Sequence, residues 1–470
     1  MESSATEWAR AEFRGAELGD ARRTARLITL AAQVARSPAG RVSAAVRSSA
    51  EQEAAYRLLE NRAFDHHAIA AAMFAATARR CGGARRVMVA VDQSTVSIVD
   101  RLGTKGLGRT GKHFAVGGRR GAEVMSAVAS SVEGVTLGLL SQVWHVRSDA
   151  RSPNPRHDRR PPEERESGLW MRCMRETCEQ LAAVAPETRP WFQLDRGADG
   201  NYVLEGALEL GADFTVRSAH DRRLDTGGRL RNVVRKSRVL GYVDVSVLDS
   251  HAPAGEQRLR RVQLTLRARR VSLRLQSLRG LRYGALPVTV VHAYEARPSR
   301  RHPRIEWYLL TNVAVSALED AAAVVSAYRC RWRVEEFHRA WKSGVCDVES
   351  SQLRSAGAFQ KWATLLAAVA SRAERLKTRS RAEPDAPATT ELTQEEVDAA
   401  ILLSRSKHKL GAPMALEQAV DLIAKLGGYT GRRNSGGPPG PTVIGRGLEV
   451  VTIAAAAIAE DRRATGRSGK

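Results

Sequence analysis

Three acidic residues in this chain stand where chemistry on a phosphate could use them. Asp92 ends the apolar run RRVMVAV, and Asp195 ends a second one, WFQL. A carboxylate at the end of a buried strand either caps the next turn or binds something. Glu335 lies in YRCRWRVEEFHRAWK, residues 328–342, which holds no proline or glycine and reads as one helix. At about 100° per residue, Tyr328, Arg331, Glu335 and Lys342 fall in a stripe roughly 60° wide, with Phe337 opposite. Glu336 lies about 100° further round and off the stripe. On an arbitrary helix such a stripe is a solvated charged face with i,i+4 pairs. Beside two strand-end aspartates in a strongly basic chain, it supplies the third carboxylate of a two-metal phosphoryl-transfer site. There, hard cations about 3.5 to 4 Å apart activate the attacking oxygen and stabilise the leaving one.

The chain that must position these groups has 470 residues, room for two or three domains and a large core. Lys and Arg number 74 against 51 Asp and Glu, a net charge of +23 that favours a polyanion, nucleic acid first and an acidic membrane surface second. No apolar run approaches the roughly 18 residues of a membrane span; the longest candidate is VVTIAAAAIA at 450–459, so no membrane partner is expected. The N-terminus MESSATEWARAEF is charged and lacks an apolar signal core. The cysteines are an odd set of 5 with no CxxC pair, which argues for free thiols, against zinc, and for a reducing cytoplasm.

Residues 1–70 read as a compact helical domain. Asp20 caps a helix whose Leu27, Leu30, Ala31 and Val34 face inward while Arg22, Arg23 and Arg26 project outward, suited to phosphate. A second helix is expected from Ser49, with a capping box to Gln52. The run GTKGLGRTGKHFAVGG contains both GxGxxG and GxxxxGK, but His113 stands where a phosphate-binding loop needs Ser or Thr, so no nucleotide cofactor is expected. Two strands joined at Val132-Glu133-Gly134 follow, then a Pro/Arg-rich linker and a helix from about Leu169 to Val184. Residues 217–282 hold 17 Lys and Arg against 5 Asp and Glu, so they supply +12 of the +23. Their alternation is that of antiparallel strands with one wet, basic face. Beyond the 328–342 stretch the chain returns to helices, one stopped by Gly427 and Gly428, with a second linker and a last apolar helix over 443–462.

Several of these motifs resemble those of a known family, the bacterial DDE cut-and-paste transposases of the transposon Tn-five type, in the insertion-sequence-four group. LGDARRTARL, EAAYRLLEN, VDQSTVS, LDRGAD, FTVRS and IAKLGGY carry the likeness, and above all YRCRWRVEEFHRAWKSG, which fits the family's Y-x2-R-x3-E-x6-K signature. The resemblance covers nearly the whole chain. It implies an α/β fold: an RNase H-like core, a mixed sheet flanked by helices, over residues 71–365. A β-strand insertion at about 218–305, an N-terminal DNA-binding domain and a helical C-terminal dimerisation domain over 366–470 complete it. It implies that Asp92, Asp195 and Glu335 are the catalytic triad holding two Mg²⁺ ions, with Mn²⁺ as a substitute. Tyr328, Arg331, Lys342 and Arg217 would hold DNA, and Trp307 would stack on a flipped base. The partners implied are double-stranded DNA, as element ends and target, and a second copy of the chain in a synaptic homodimer. Two other readings are an RNase H-like nuclease that cuts without joining, and a transposase-derived protein that only binds DNA.

Overall fold

A computed structural model of the chain describes residues 4–46, 48–110, 118–147, 161–248, 259–276, 283–298, 302–431 and 437–467. His113 in the glycine-rich stretch, residues 148–160 of the first linker and residues 432–436 of the second lie outside the described residues.

Five helices come first: α1 (Ser4–Phe13), α2 (Ala21–Arg36), α3 (Val42–Ala45), α4 (Ser49–Glu60) and α5 (His66–Cys81). Asp20 caps α2, accepting the Arg22 N–H at 2.8 Å, and Leu27, Leu30, Ala31 and Val34 are buried. The start of α4 differs from expectation. Ser48 is the cap and reaches the Glu51 N–H, so Gln52 is one residue too far along to close a box and donates instead to the Val46 carbonyl at 2.7 Å.

The sheet is built from β1 (Arg86–Val99), β2 (Gly108–Arg109), β3 (Arg119–Ser130), β4 (Thr136–His145), β5 (Arg189–Leu194), β6 (Asp213–Arg217), β7 (Val239–Leu248), β8 (Leu259–Gln276), β9 (Tyr283–Glu295) and β10 (Glu306–Thr311). β3 pairs antiparallel with β1 and β4 with β3, whereas β5 runs parallel to β1 and β6 parallel to β5. These five strands are the mixed sheet of an RNase H-like α/β core. The basic β segment does not form a separate sheet. β10 pairs antiparallel with β6, then β9, β8 and β7 follow in series, so the insertion prolongs the core sheet.

Strand β1 corrects one expectation, because it does not end at Asp92. Its parallel pairing with β5 stops at Val91–Leu194, but its pairing with β3 continues to Val99–Arg119. Thr95, Val96, Ile98 and Val99 are β-branched and suit extended backbone, and β3 offers them a partner on the other edge.

Helices cover both faces. α6 (Glu166–Val184), α7 (Asn201–Glu209) and α8 (Leu230–Arg235) share one apolar cluster with Val87, Val89, Val91, Tyr308 and Leu310. On the other face, α9 (Leu318–Arg329) packs on β7–β10 through Val324 and Val325. There too, α10 (Trp332–Lys342) and α11 (Ala356–Ala382) bury Phe337, Trp341, Phe359 and Trp362 against α1–α5. The N-terminal helices are therefore continuous with the core that holds α10. Helix α11 runs unbroken through residues 365 and 366, where a domain boundary was expected.

After α11 come α12 (Gln394–Leu403), α13 (Leu416–Leu426) and α14 (Pro441–Arg467). Gly427 stops α13, its N–H bonding back to Ile423 and Ala424, and a Cβ there would stand 1.9 Å from the Val443 carbonyl of α14. Residues Pro441–Arg462 of α14 are, by length and composition alone, long and apolar enough to cross a membrane, with mean hydropathy 1.6. No uninterrupted apolar run marks this length in the sequence, because Gly445, Arg446, Gly447 and Glu449 break it. Ile444, Leu448, Val451 and Ala455 of this helix are buried against α12 and α13.

Candidate active site

The sheet pairing brings the two aspartates together. Val91 and Leu194 are register partners on neighbouring parallel strands, so the residues that follow them, Asp92 and Asp195, emerge side by side where β1 and β5 part. Asp195 also caps the short turn Arg196–Ala198, accepting the Gly197 N–H at 2.7 Å. Asp92 accepts the N–H of Gln93 at 2.8 Å. Burial, and then the charge of Asp195, push its carboxyl up to about 6, against the pull of that hydrogen bond and of Arg331.

The third acid arrives from the opposite face, on a chain path that differs from expectation. Residues 328–342 are not one helix: α9 ends at Arg329, α10 starts at Trp332, and between them the backbone tightens into i→i−3 bonds, Arg331 N to Tyr328 O and Arg333 N to Cys330 O, both 3.0 Å. The two helices lie over different parts of a twisted sheet, α9 on β7–β9 and α10 on β1 and β3, so one straight rod cannot follow both. The junction keeps αR backbone at Arg331 (φ −54°, ψ −34°), and the stripe survives in outline.

At that junction Arg331 donates to Glu335 at 2.8 Å and lies 3.7 Å from Asp92. Its guanidinium also sits 5.9 Å from the Tyr328 ring and 5.0 Å from that of Trp332. Glu335 stands in the first turn of α10, where a helix favours negative charge. Its neighbour Glu336 points elsewhere, to Arg333 at 2.7 Å and Lys377 at 3.3 Å. Burial opposes its ionisation, but Lys377 and then Arg333 outweigh this and hold the carboxyl at about 2.

Tyr328 is buried against Trp307, ring centroids 5.6 Å apart, and its hydroxyl is pushed up by burial while Arg331 and Arg217 pull it down. Arg217 is the last residue of β6; burial lowers its pKa, against the opposing influence of Tyr328. Lys342 Nζ lies 3.2 Å from the Ser94 hydroxyl, two residues along β1 from Asp92. Beneath α10, His338 bonds Ser126 at 3.1 Å, and Ser126 is the β3 partner of Asp92. Burial, followed by Lys342, depresses the His338 imidazole to about 3, so this support is uncharged.

Asp92, Asp195, Glu335, Arg331, Tyr328, Arg217, Trp307 and Lys342 thus share one region, and the N-terminal arginines do not join it. Arg22 alone of the three projects outward, its side chain 92% exposed and paired with Asp20 at 3.3 Å. Arg23 folds back to the Leu18 carbonyl and Arg26 to that of Glu51, both at 2.9 Å, because these carbonyls lie within reach. Two residues near the site were missed in the sequence. Trp332 is 49% exposed in the first turn of α10, and the tryptophan inside a charged run was the available signal. Asp199, fully buried, receives the Ala219 N–H at 2.7 Å and the Arg222 guanidinium at 2.8 Å, which fixes the segment after Arg217. Its signal was the second aspartate of DRGAD.

Three hard carboxylates on two strands and a helix are a donor set suited to divalent cations such as Mg²⁺ or Mn²⁺. The mutual crowding of Asp92 and Asp195 fits that use. Among the described residues no three acidic, His or Cys groups converge to hold a metal ion, since Arg331 takes up Glu335.

Residues 5–64 match the family model described as transposase DNA-binding, and residues 171–371 match the one described as transposase DDE domain. The two matches together support a DDE-type DNA transposase. The second contains Asp195 and Glu335, while Asp92 precedes it.

Proposed function

We propose that this chain is a cut-and-paste transposase of the Tn-five type that binds terminal inverted repeats, excises its element and joins the 3′ ends to target DNA. The observation that carries this reading is the adjacency of Asp92 and Asp195 at the parting of β1 and β5, with Glu335 delivered to them from α10. Asp92, Asp195 and Glu335 would hold two Mg²⁺ ions, or Mn²⁺, which when bound supply activation of the attacking oxygen and stabilisation of the leaving one. The remaining work falls to neighbouring side chains. Arg331, Lys342 and Arg217 present cations, and Tyr328 a phenol, to the phosphates flanking the scissile bond. Trp307, half-buried on Tyr328, offers its free face to a base turned out of the stack, and Trp332 offers a second apolar face nearby. Each end would be nicked, closed as a hairpin by its own 3′-hydroxyl, reopened and then joined to target. Residues 1–70 would read the repeat, residues 366–470 would pair two copies in the synaptic complex, and the protein would act in the bacterial cytoplasm.

The test incubates purified protein with linear DNA bearing the inverted repeats that border its coding sequence, in Mg²⁺. Hairpin ends and joined target support the proposal. Cutting without either product indicates a nuclease, and binding alone indicates a regulator. Glu335→Gln is expected to keep end binding and lose cleavage by at least about 100-fold; cleavage near the wild-type rate would remove Glu335 from the site.

A further inference from the structure

Arg331 has two claims on it. Its side chain is 8% exposed, it spans Glu335 and Asp92, and its Nε is buried without a hydrogen-bond partner. A guanidinium is a planar fork that suits carboxylate and phosphate equally well and cannot serve both with the same pair of N–H groups. Lys342 rests on Ser94, and among the described residues Arg331 is the cation whose ion pairs reach Asp92 and Glu335. It also sits at the α9–α10 junction, outside both helices, where its side chain can turn without unwinding either.

We propose that Arg331 is a shared counter-ion that couples DNA binding to cation binding. In the DNA-free protein it offsets part of the charge of Asp92 and Glu335 and keeps Glu335 from serving as a cation ligand. A DNA phosphate that takes the guanidinium releases the carboxylates. A divalent cation brought in while Arg331 remained would face a like charge at short range, so cations bind weakly before DNA does. By linkage each ligand strengthens the other by the same factor. Premature cutting is thereby suppressed, because the complete carboxylate set exists only with DNA in place. This inference rests on the reading of Asp92, Asp195 and Glu335 as cation ligands.

The experiment titrates Mn²⁺ alone into the full chain and follows the loss of the free-ion paramagnetic resonance signal. Without DNA, Arg331→Met is expected to bind Mn²⁺ on the order of 10-fold tighter than wild type. Adding Glu335→Gln to that variant should abolish the gain. A duplex ending at the inverted repeat that borders the coding sequence should tighten Mn²⁺ binding by wild type and not by Arg331→Met. Thermal unfolding checks that each variant folds. Arg331→Lys, which keeps the charge but loses the fork, gives a smaller gain and decides the matter if the Met variant does not fold. Equal affinities of wild type and both Arg331 variants would overturn the counter-ion role and leave the carboxylate ligands standing. Mn²⁺ binding that Asp92→Asn leaves unchanged would defeat the ligand reading itself.

Discussion

Glu335 and Glu336 are the same residue type one position apart, and their surroundings give them opposite uses. Glu336 is spent on Arg333 and Lys377, which hold it ionised, whereas Glu335 looks toward Asp92 across a single guanidinium. His66 makes the same point for a base. It is buried beside Trp144, ring centroids 5.9 Å apart, with Nε2 unpartnered, and burial followed by the His67 charge lowers its pKa from 6.5 to about 4. The unfolded chain therefore takes up this proton first as pH falls. Stability should be lost through the window from about 6.5 down to about 4, by at most about 3 kcal/mol. Urea denaturation at several pH values checks this, and His66→Phe should flatten the slope that His66 contributes.

Helix α10 is fixed on two sides. Phe337 and Trp341 enter the apolar core, while Glu336 engages Lys377 of α11, itself 2% exposed and paired with the fully buried Glu374. Rotation of α10 about its axis would break one set or the other, so the direction in which Glu335 points is set by groups that never touch DNA. Removing one partner of a buried ion pair strands the other charge. Lys377→Met is expected to cost about 3–5 kcal/mol, and Lys377→Met with Glu374→Leu should recover most of it. Equilibrium unfolding of the two variants measures the difference. Recovery in stability without recovery of cleavage would separate the aim of α10 from its mere presence.

Across the whole molecule, about half of the net charge of +23 lies in the segment that prolongs the sheet beyond β6. A sheet continued in this way holds basic side chains on the same rigid body as Asp92 and Asp195, and the N-terminal helices are welded to it through Trp362, whose indole donates to the Gly40 carbonyl at 2.7 Å. Affinity resting on many phosphate contacts falls steeply with salt. With roughly 6 to 10 contacts, the DNA association constant should drop on the order of 10³- to 10⁵-fold between about 50 and 200 mM salt. Filter binding or anisotropy over that range checks it, and a flat response would mean that the charge does not face DNA.

Much of the candidate site was legible in the residues alone. Strand-forming runs that reach Asp92 and Asp195, and the spacing of Tyr328, Arg331, Glu335 and Lys342, are local patterns, and local patterns follow from backbone periodicity. Helix phase likewise separated Glu335 from Glu336 before any contact was known. What the tertiary structure alone decided was non-local. That β1 runs on past Asp92, that residues 328–342 bend at Arg331, and that Arg23 and Arg26 turn back to carbonyls all depend on partners distant in the chain or on the twist of a sheet. The place of Arg331 between Glu335 and Asp92 is of this kind as well, since it joins residues more than 200 positions apart through the packing of α10 on β1, which spacing does not encode.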